Sequence, residues 1–219
     1  MLYINELFAS IQGEGSYTGT PSVFIRFQGC KCQCSFCDTK HTWKLGEPND
    51  KPLSFAMQKA DCAHYATTTA EELAATIAEK FPKIKHVVMT GGEPCLFDLA
   101  PLCDLLEKQG RTVQIETSGT EPIGNVSKTV WVTVSPKINQ AGGRKVLPEA
   151  LARANEIKMA VATQKEIDQL RSCLSHAPEA LIYLQPISQG VEATKLCVEA
   201  AMANDWRVSV QVHKYLAVR

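Results

Sequence analysis

From residue 23 onward, short apolar runs alternate with longer segments whose apolar positions recur at helical spacing. Val23-Phe-Ile-Arg-Phe27 predicts a strand that feeds directly into a cluster of cysteines. Thr69-Ala-Glu-Glu72 has the form of a capping box, and Leu73, Ile77 and Phe81 then fall on one helical face. Lys85-His-Val-Val-Met89 predicts a strand ending at Gly91-Gly-Glu-Pro94, and a helix through Leu99, Leu102, Leu105 and Leu106 stops at Gly110. Residues 112–116 and 130–134 predict strands that end at Thr117-Ser-Gly119 and Ser135-Pro-Lys137. Residues 148–155, 166–174 and 193–202 read as helices, with strands at 157–161, 181–184 and 207–212 between and after them.

This rhythm argues for parallel strands joined by crossover helices. Each polar motif follows a strand, at the carboxyl edge where α/β barrels and open sheets collect ligands. The expected fold is α/β: an incomplete (partial) α/β barrel, one domain over residues 1–219, with one active-site mouth. Residues 46–68 are polar, carry two prolines and show no clear period, which predicts a surface insertion.

Hydrophobic residues at 45% and charged residues at 21% place the chain among ordinary globular domains. Lys and Arg number 23, as do Asp and Glu, so the zero net charge offers no footprint for nucleic acid or an anionic membrane. No stretch approaches the roughly 20 apolar residues that span a bilayer, and residues 1–10 lack the pattern of an export signal, which points to the cytosol. Of nine cysteines, four crowd into positions 30–37. An odd count without an export signal favours metal binding over a disulfide framework. Cys62, Cys95, Cys103, Cys173 and Cys197 stand singly and read as small core residues.

Cys30, Cys34 and Cys37 have the spacing C-x3-C-x2-C. Thiolates suit an iron–sulfur cluster or zinc, but structural zinc normally takes two separated ligand pairs, and no second C-x2-C occurs. Three cysteines on a four-iron cluster leave one iron for a small chelating molecule. Counting Cys32, four thiolates could instead close a zinc site or a fully ligated cluster; an extended loop would splay Cys32 away as a bystander.

The cysteine motif followed by Gly91-Gly-Glu-Pro94 resembles the radical S-adenosylmethionine (SAM) superfamily. The resemblance implies a [4Fe–4S] cluster on Cys30, Cys34 and Cys37, with SAM on the open iron as the radical source. Gln12-Gly-Glu-Gly15, Phe24-Ile-Arg26, Cys37-Asp-Thr39, Glu116-Thr-Ser-Gly119, Val134-Ser-Pro-Lys137, Leu184-Gln-Pro186 and His213-Lys-Tyr215 make the chain similar, nearly end to end, to the 7-carboxy-7-deazaguanine synthases. That family is understood to be a carbon–nitrogen lyase of the queuosine and 7-deazapurine pathway. It converts 6-carboxy-5,6,7,8-tetrahydropterin to 7-carboxy-7-deazaguanine with release of ammonia, assisted by Mg²⁺.

Carried onto this chain, the resemblance assigns Ile11, Gln12, Gly13, Arg26, Thr90 and His213 to the pterin. It assigns Thr39 to Mg²⁺, and Gly92, Glu93, Glu116, Ser118, Ser135, Pro136, Lys137, Gln185, Pro186, Ile187 and Ser188 to SAM. No protein side chain is assigned as the catalytic group, because the radical comes from cluster and SAM. Arg26 would grip the substrate carboxylate with its fork, although a strand arginine paired at the surface is the commoner fate. Thr39 could simply end its loop, and His213 could be a buried, satisfied histidine. The resemblance also implies an electron donor such as a flavodoxin or ferredoxin, and a homodimer. An activase that takes hydrogen from a protein glycine would share the cysteines without the flanking motifs; a zinc- or cluster-stabilised binding protein would need only the thiolates.

Overall fold

A computed structural model describes residues 1–46, 51–58 and 62–218 of the chain. Its strands are β1 (Leu2–Ile11), β2 (Pro21–Phe27), β3 (Ala66–Thr68), β4 (His86–Thr90), β5 (Thr112–Thr117), β6 (Trp131–Val134), β7 (Glu156–Val161), β8 (Leu181–Pro186) and β9 (Arg207–Val208). They form one unclosed sheet in the order β3-β1-β2-β4-β5-β6-β7-β8-β9. From β2 to β9 every pairing is parallel. Helices α2 (Ala70–Lys80), α3 (Ala100–Lys108), α4 (Pro148–Arg153), α5 (Gln164–Arg171) and α6 (Val191–Asn204) supply the crossovers, all but that from β5 to β6.

Period-2 alternation gives the sheet two unlike faces. Val23, Ile25, Val87, Met89, Ile115, Val132 and Ile157 point one way and pack under Leu73, Ile77, Leu102, Leu106 and Ile167 of the helices, all fully buried. Each such aliphatic side chain contributes roughly 1.5–3 kcal/mol on leaving water. The other face is also buried but polar: Gln114, Thr133 and Glu156 are completely covered. Each is hydrogen-bonded, as buried polar groups must be.

The sequence reading and the fold differ at both edges of the sheet. β1 went unpredicted, and it pairs antiparallel to β2 and β3, so the strands are not all parallel. A bulge between Ile4 and Glu6, with Asn5 and Glu6 both buried, breaks its alternation. The 46–68 segment lies partly outside the described residues. Its described part is not merely surface: Leu53 and Ala56 of α1 (Leu53–Ala56), with Tyr65 and Ala66, are buried, and β3 forms the sheet edge. A three-residue strand is too short to show a period. The predicted strand at 207–212 ends at Val208; Val212 turns into the single-turn helix α7 (Val212–Tyr215) to bond the Gly13 carbonyl. Thr69 caps α2 through the Glu72 amide, but the Glu72 carboxylate accepts from Thr68, so the reciprocal box is absent there. It occurs instead at Thr163 and Glu166 of α5.

Because β1 runs against β2, the 12–20 connection starts at the amino ends of the parallel strands and fills the polar face. Tyr17 stacks on His86 at 4.2 Å and meets Trp131 edge-on at 5.4 Å. Gly15 has φ +64°, and a Cβ there would sit 2.3 Å from the buried Glu156 carboxylate, so only glycine fits. This inward connection becomes the floor of the site.

Candidate active site

A cavity of about 420 Å³ opens over the carboxyl ends of the parallel strands. Cys30, Cys34 and Cys37 line it on the loop after β2. Several backbone bonds fix that loop: Gly29 N–H to Thr42 O (2.7 Å), Cys30 N–H to Trp43 O (3.0 Å), Cys37 N–H to Cys34 O (3.1 Å) and Gly142 N–H to Cys32 O (2.9 Å). The Gly91-Gly-Glu-Pro94 turn crosses the loop's root, where the Glu93 N–H donates to Gly29 O at 2.7 Å. A Cβ on Gly92 would lie 2.3 Å from that same carbonyl, which explains the glycine.

Cys32 does not splay away. Gln33 has φ +53°, so the loop is not extended and alternation fails at that point. The Cys32 sulfur is buried 3.5 Å from Thr120 Oγ1. The Cys30 thiol is hydrogen-bonded to it, which together with burial pushes Cys30 well above its ordinary range. The same bond, opposed by burial and helped by Ser118 and Thr120, holds Cys32 down at about 6. Burial pushes Cys34 up to about 11. Among the described residues no three His, Cys, Asp or Glu side chains converge on a single-ion site. Three free thiols of soft character on one cavity wall do fit a cluster held through three corners.

The floor carries a charged network not foreseen from sequence. Lys158 Nζ, 4% exposed, donates to Glu14 Oε2 at 2.5 Å and to Glu116 Oε2 at 2.8 Å. Gln12 Nε2 donates to Glu116 Oε1 at 2.9 Å, and Gln211 Nε2 to Glu14 Oε1 at 2.7 Å. Burial raises the Glu14 carboxyl, but the Lys158 ammonium outweighs it and leaves Glu14 at about 2. Burial likewise pulls Lys158 down, and Glu116 and Glu14 together hold it above its ordinary value. The clue available in the sequence was a lone lysine inside the apolar run Ile157-Lys-Met-Ala-Val161.

All six residues assigned to the pterin line the cavity. The Gln12 amide is engaged within the protein, giving to Gln114 and Glu116 and accepting from the Glu14 N–H, so it braces the floor rather than offering an open edge. Arg26 Nε is paired to Glu6 at 2.7 Å, and its 19% exposed side chain faces the cavity. His213 packs directly on Gly13. Of the SAM set, Gly92, Glu116, Ser118, Ser135 and Lys137 line the cavity, as do Gln185, Pro186, Ile187 and Ser188. Pro136 is buried behind the wall. The Glu93 carboxylate does not reach the cavity. It is 1% exposed and accepts from Thr117 Oγ1 (2.6 Å), the Ser118 amide and hydroxyl, and the Cys95 amide, locking one strand-end turn to another. Ser188 and Gln189 sit in the left-handed region, and the buried Gln189 amide nitrogen has no partner among the described residues, features suited to close approach of a ligand. Thr39 lies at the rim, its hydroxyl 3.7 Å from Cys37 Sγ.

Residues 24–130 match the model of the radical SAM superfamily, which defines the class of this fold and cavity. The chain is 48% identical to the 7-carboxy-7-deazaguanine synthase of Escherichia coli (strain K12) over 98% of both chains. It is 45% identical to that of Buchnera aphidicola subsp. Schizaphis graminum (strain Sg), over 99% of this chain and 98% of the relative. The solved structure described as "Crystal structure of QueE from Escherichia coli" superposes with a TM-score of 0.91 at 46% identity, covering 96% of this chain and 93% of that one. The chain belongs to the 7-carboxy-7-deazaguanine synthase family, a radical SAM family that works with a [4Fe–4S] cluster and SAM. Membership decides against the zinc-stabilised binding protein and the glycine activase.

Proposed function

We propose that this enzyme converts 6-carboxy-5,6,7,8-tetrahydropterin to 7-carboxy-7-deazaguanine with loss of ammonia. The observation that carries this reading is that motif residues scattered from Gln12 to His213 meet the three cysteines around one cavity. Cys30, Cys34 and Cys37 would hold the cluster, which with SAM supplies the radical that takes hydrogen from the substrate. Gly92, Ser135, Lys137 and residues 185–188 would position SAM on one side. Arg26 would bind the substrate carboxylate on the other. The Glu14 and Glu116 carboxylates, fixed by Lys158 beneath them, would offer acceptors to the polar edge of the ring. Mg²⁺ held by the Thr39 hydroxyl, a homodimer, an electron donor such as a flavodoxin or ferredoxin, and a cytosolic location belong to the same proposal. Among the described residues no helix is long and apolar enough to cross a membrane.

Anaerobic incubation with SAM, reductant and the carboxypterin, followed by mass analysis, should yield the deazaguanine and ammonia; intact substrate alongside cleaved SAM would refute the assignment. Arg26→Lys keeps the charge beside Glu6 but removes the bidentate fork. It should raise the KM for the carboxypterin roughly 10–100-fold, the weight of one or two charge-assisted bonds, and leave the KM for SAM unchanged. Equal changes in both constants would show that Arg26 does not grip the substrate.

A further inference from the structure

Cys37 differs from the other two motif cysteines in the groups that lie within hydrogen-bond reach of its sulfur. The Trp43 indole Nε1 donates to Cys37 Sγ at 3.4 Å. Thr39 Oγ1 lies 3.7 Å from the same atom. Among the described residues Cys37 is the one motif cysteine whose sulfur accepts from a ring N–H.

The indole is held in place from several sides. The Trp43 carbonyl accepts from the Cys30 N–H at 3.0 Å, and its own amide bonds Lys40 O at 3.2 Å. The Lys40 ammonium sits over the ring at 6.0 Å from its centroid. Backbone and side chain therefore tie the half-buried Trp43 to both ends of the cysteine motif, and among the described residues Cys37 Sγ is the acceptor of its N–H.

We propose that Trp43 is a positioning residue for the cluster, whose indole N–H bond to the Cys37 sulfur sets the potential at which the cluster accepts its electron. The proposal rests on Cys37 being a cluster ligand. One-electron reduction adds negative charge that spreads onto the sulfurs. A donor pointed at a ligand sulfur stabilises the reduced form more than the oxidised one and raises the potential. The effect requires the N–H itself, not the bulk of the ring.

The test uses full-length protein reconstituted anaerobically, with iron and sulfide counted before a spectroelectrochemical titration. Trp43→Phe should keep its iron and require a more negative potential. A tenfold less favourable reduction corresponds to about 59 mV for one electron. Benzothienylalanine at position 43 keeps the two-ring shape but replaces N–H by sulfur, and should show the same shift. Unchanged potentials in both variants at full iron content would overturn the proposal. Loss of iron from the benzothienyl variant would also overturn it, because Trp43 would then be holding the loop rather than tuning the cluster. Cys37→Ala tests the underlying assignment separately: a retained four-iron cluster would sink the ligand reading, not the hydrogen-bond physics.

Discussion

Alanine in place of Cys30, Cys34 or Cys37 should abolish iron retention, SAM cleavage and product together, whereas Cys32→Ser should keep near-normal iron and turnover. Two thiolates hold a cubane poorly, so each of the three is required. A fourth protein thiolate on the cluster would occupy the iron that SAM must reach. Cys32 has a different role in the structure. Its buried sulfur contacts Thr120, and its carbonyl accepts from Gly142, docking the 137–146 segment on the cysteine loop. Serine preserves that carbonyl and supplies a hydroxyl for the same neighbours. Iron and sulfide analysis, together with the visible absorbance of the reconstituted proteins, decides the matter. An iron-free Cys32→Ser beside an iron-replete Cys30→Ala or Cys34→Ala would reverse the ligand assignment.

Lys158→Met should destabilise the protein by about 3 kcal/mol, the low end for a buried pair, because it leaves two partly buried carboxylates without their shared cation. It should also reverse the acid response. In the native protein Glu14 lies at about 2 against an ordinary 4.5. A lowered carboxyl contributes stability that is full above the ordinary value and is lost as pH falls toward about 2. Without Lys158 the burial of Glu14 is no longer outweighed, and its carboxyl binds a proton more tightly. Its contribution is then present at low pH and lost as pH rises. Between roughly pH 7 and pH 5, thermal midpoints should fall or stay level on acidification for the native protein and rise for Lys158→Met. Parallel responses would mean that Lys158 is not the cation neutralising the floor.

Local pattern made the parallel strands and the cavity residues after them readable. Val23 to Phe27 and Lys85 to Met89 announce themselves by composition, and the glycines of Gly91-Gly-Glu-Pro94 mark a crossing that needs no side chain. What escaped depends on partners far along the chain. β1 hides behind its bulge at Asn5. Lys158 reads as an ordinary strand lysine until Glu14, 144 positions away, comes to meet it. Gln12 and Glu93 look like ligand groups, because nothing local shows that Glu116 and Ser118 already satisfy them. Trp43 reads as an unremarked aromatic until the loop folds its N–H back onto Cys37.

The union of Gly13 with Val212, and of Glu14 with Gln211 across 197 positions, has a kinetic side. Closing so long a loop costs conformational entropy before any contact returns it, so such pairings form late and slowly. The helices and parallel strands can collapse pairwise, but the cavity has no floor until residues from opposite ends of the described chain meet. Competence to bind substrate is therefore expected to lag behind secondary structure during refolding.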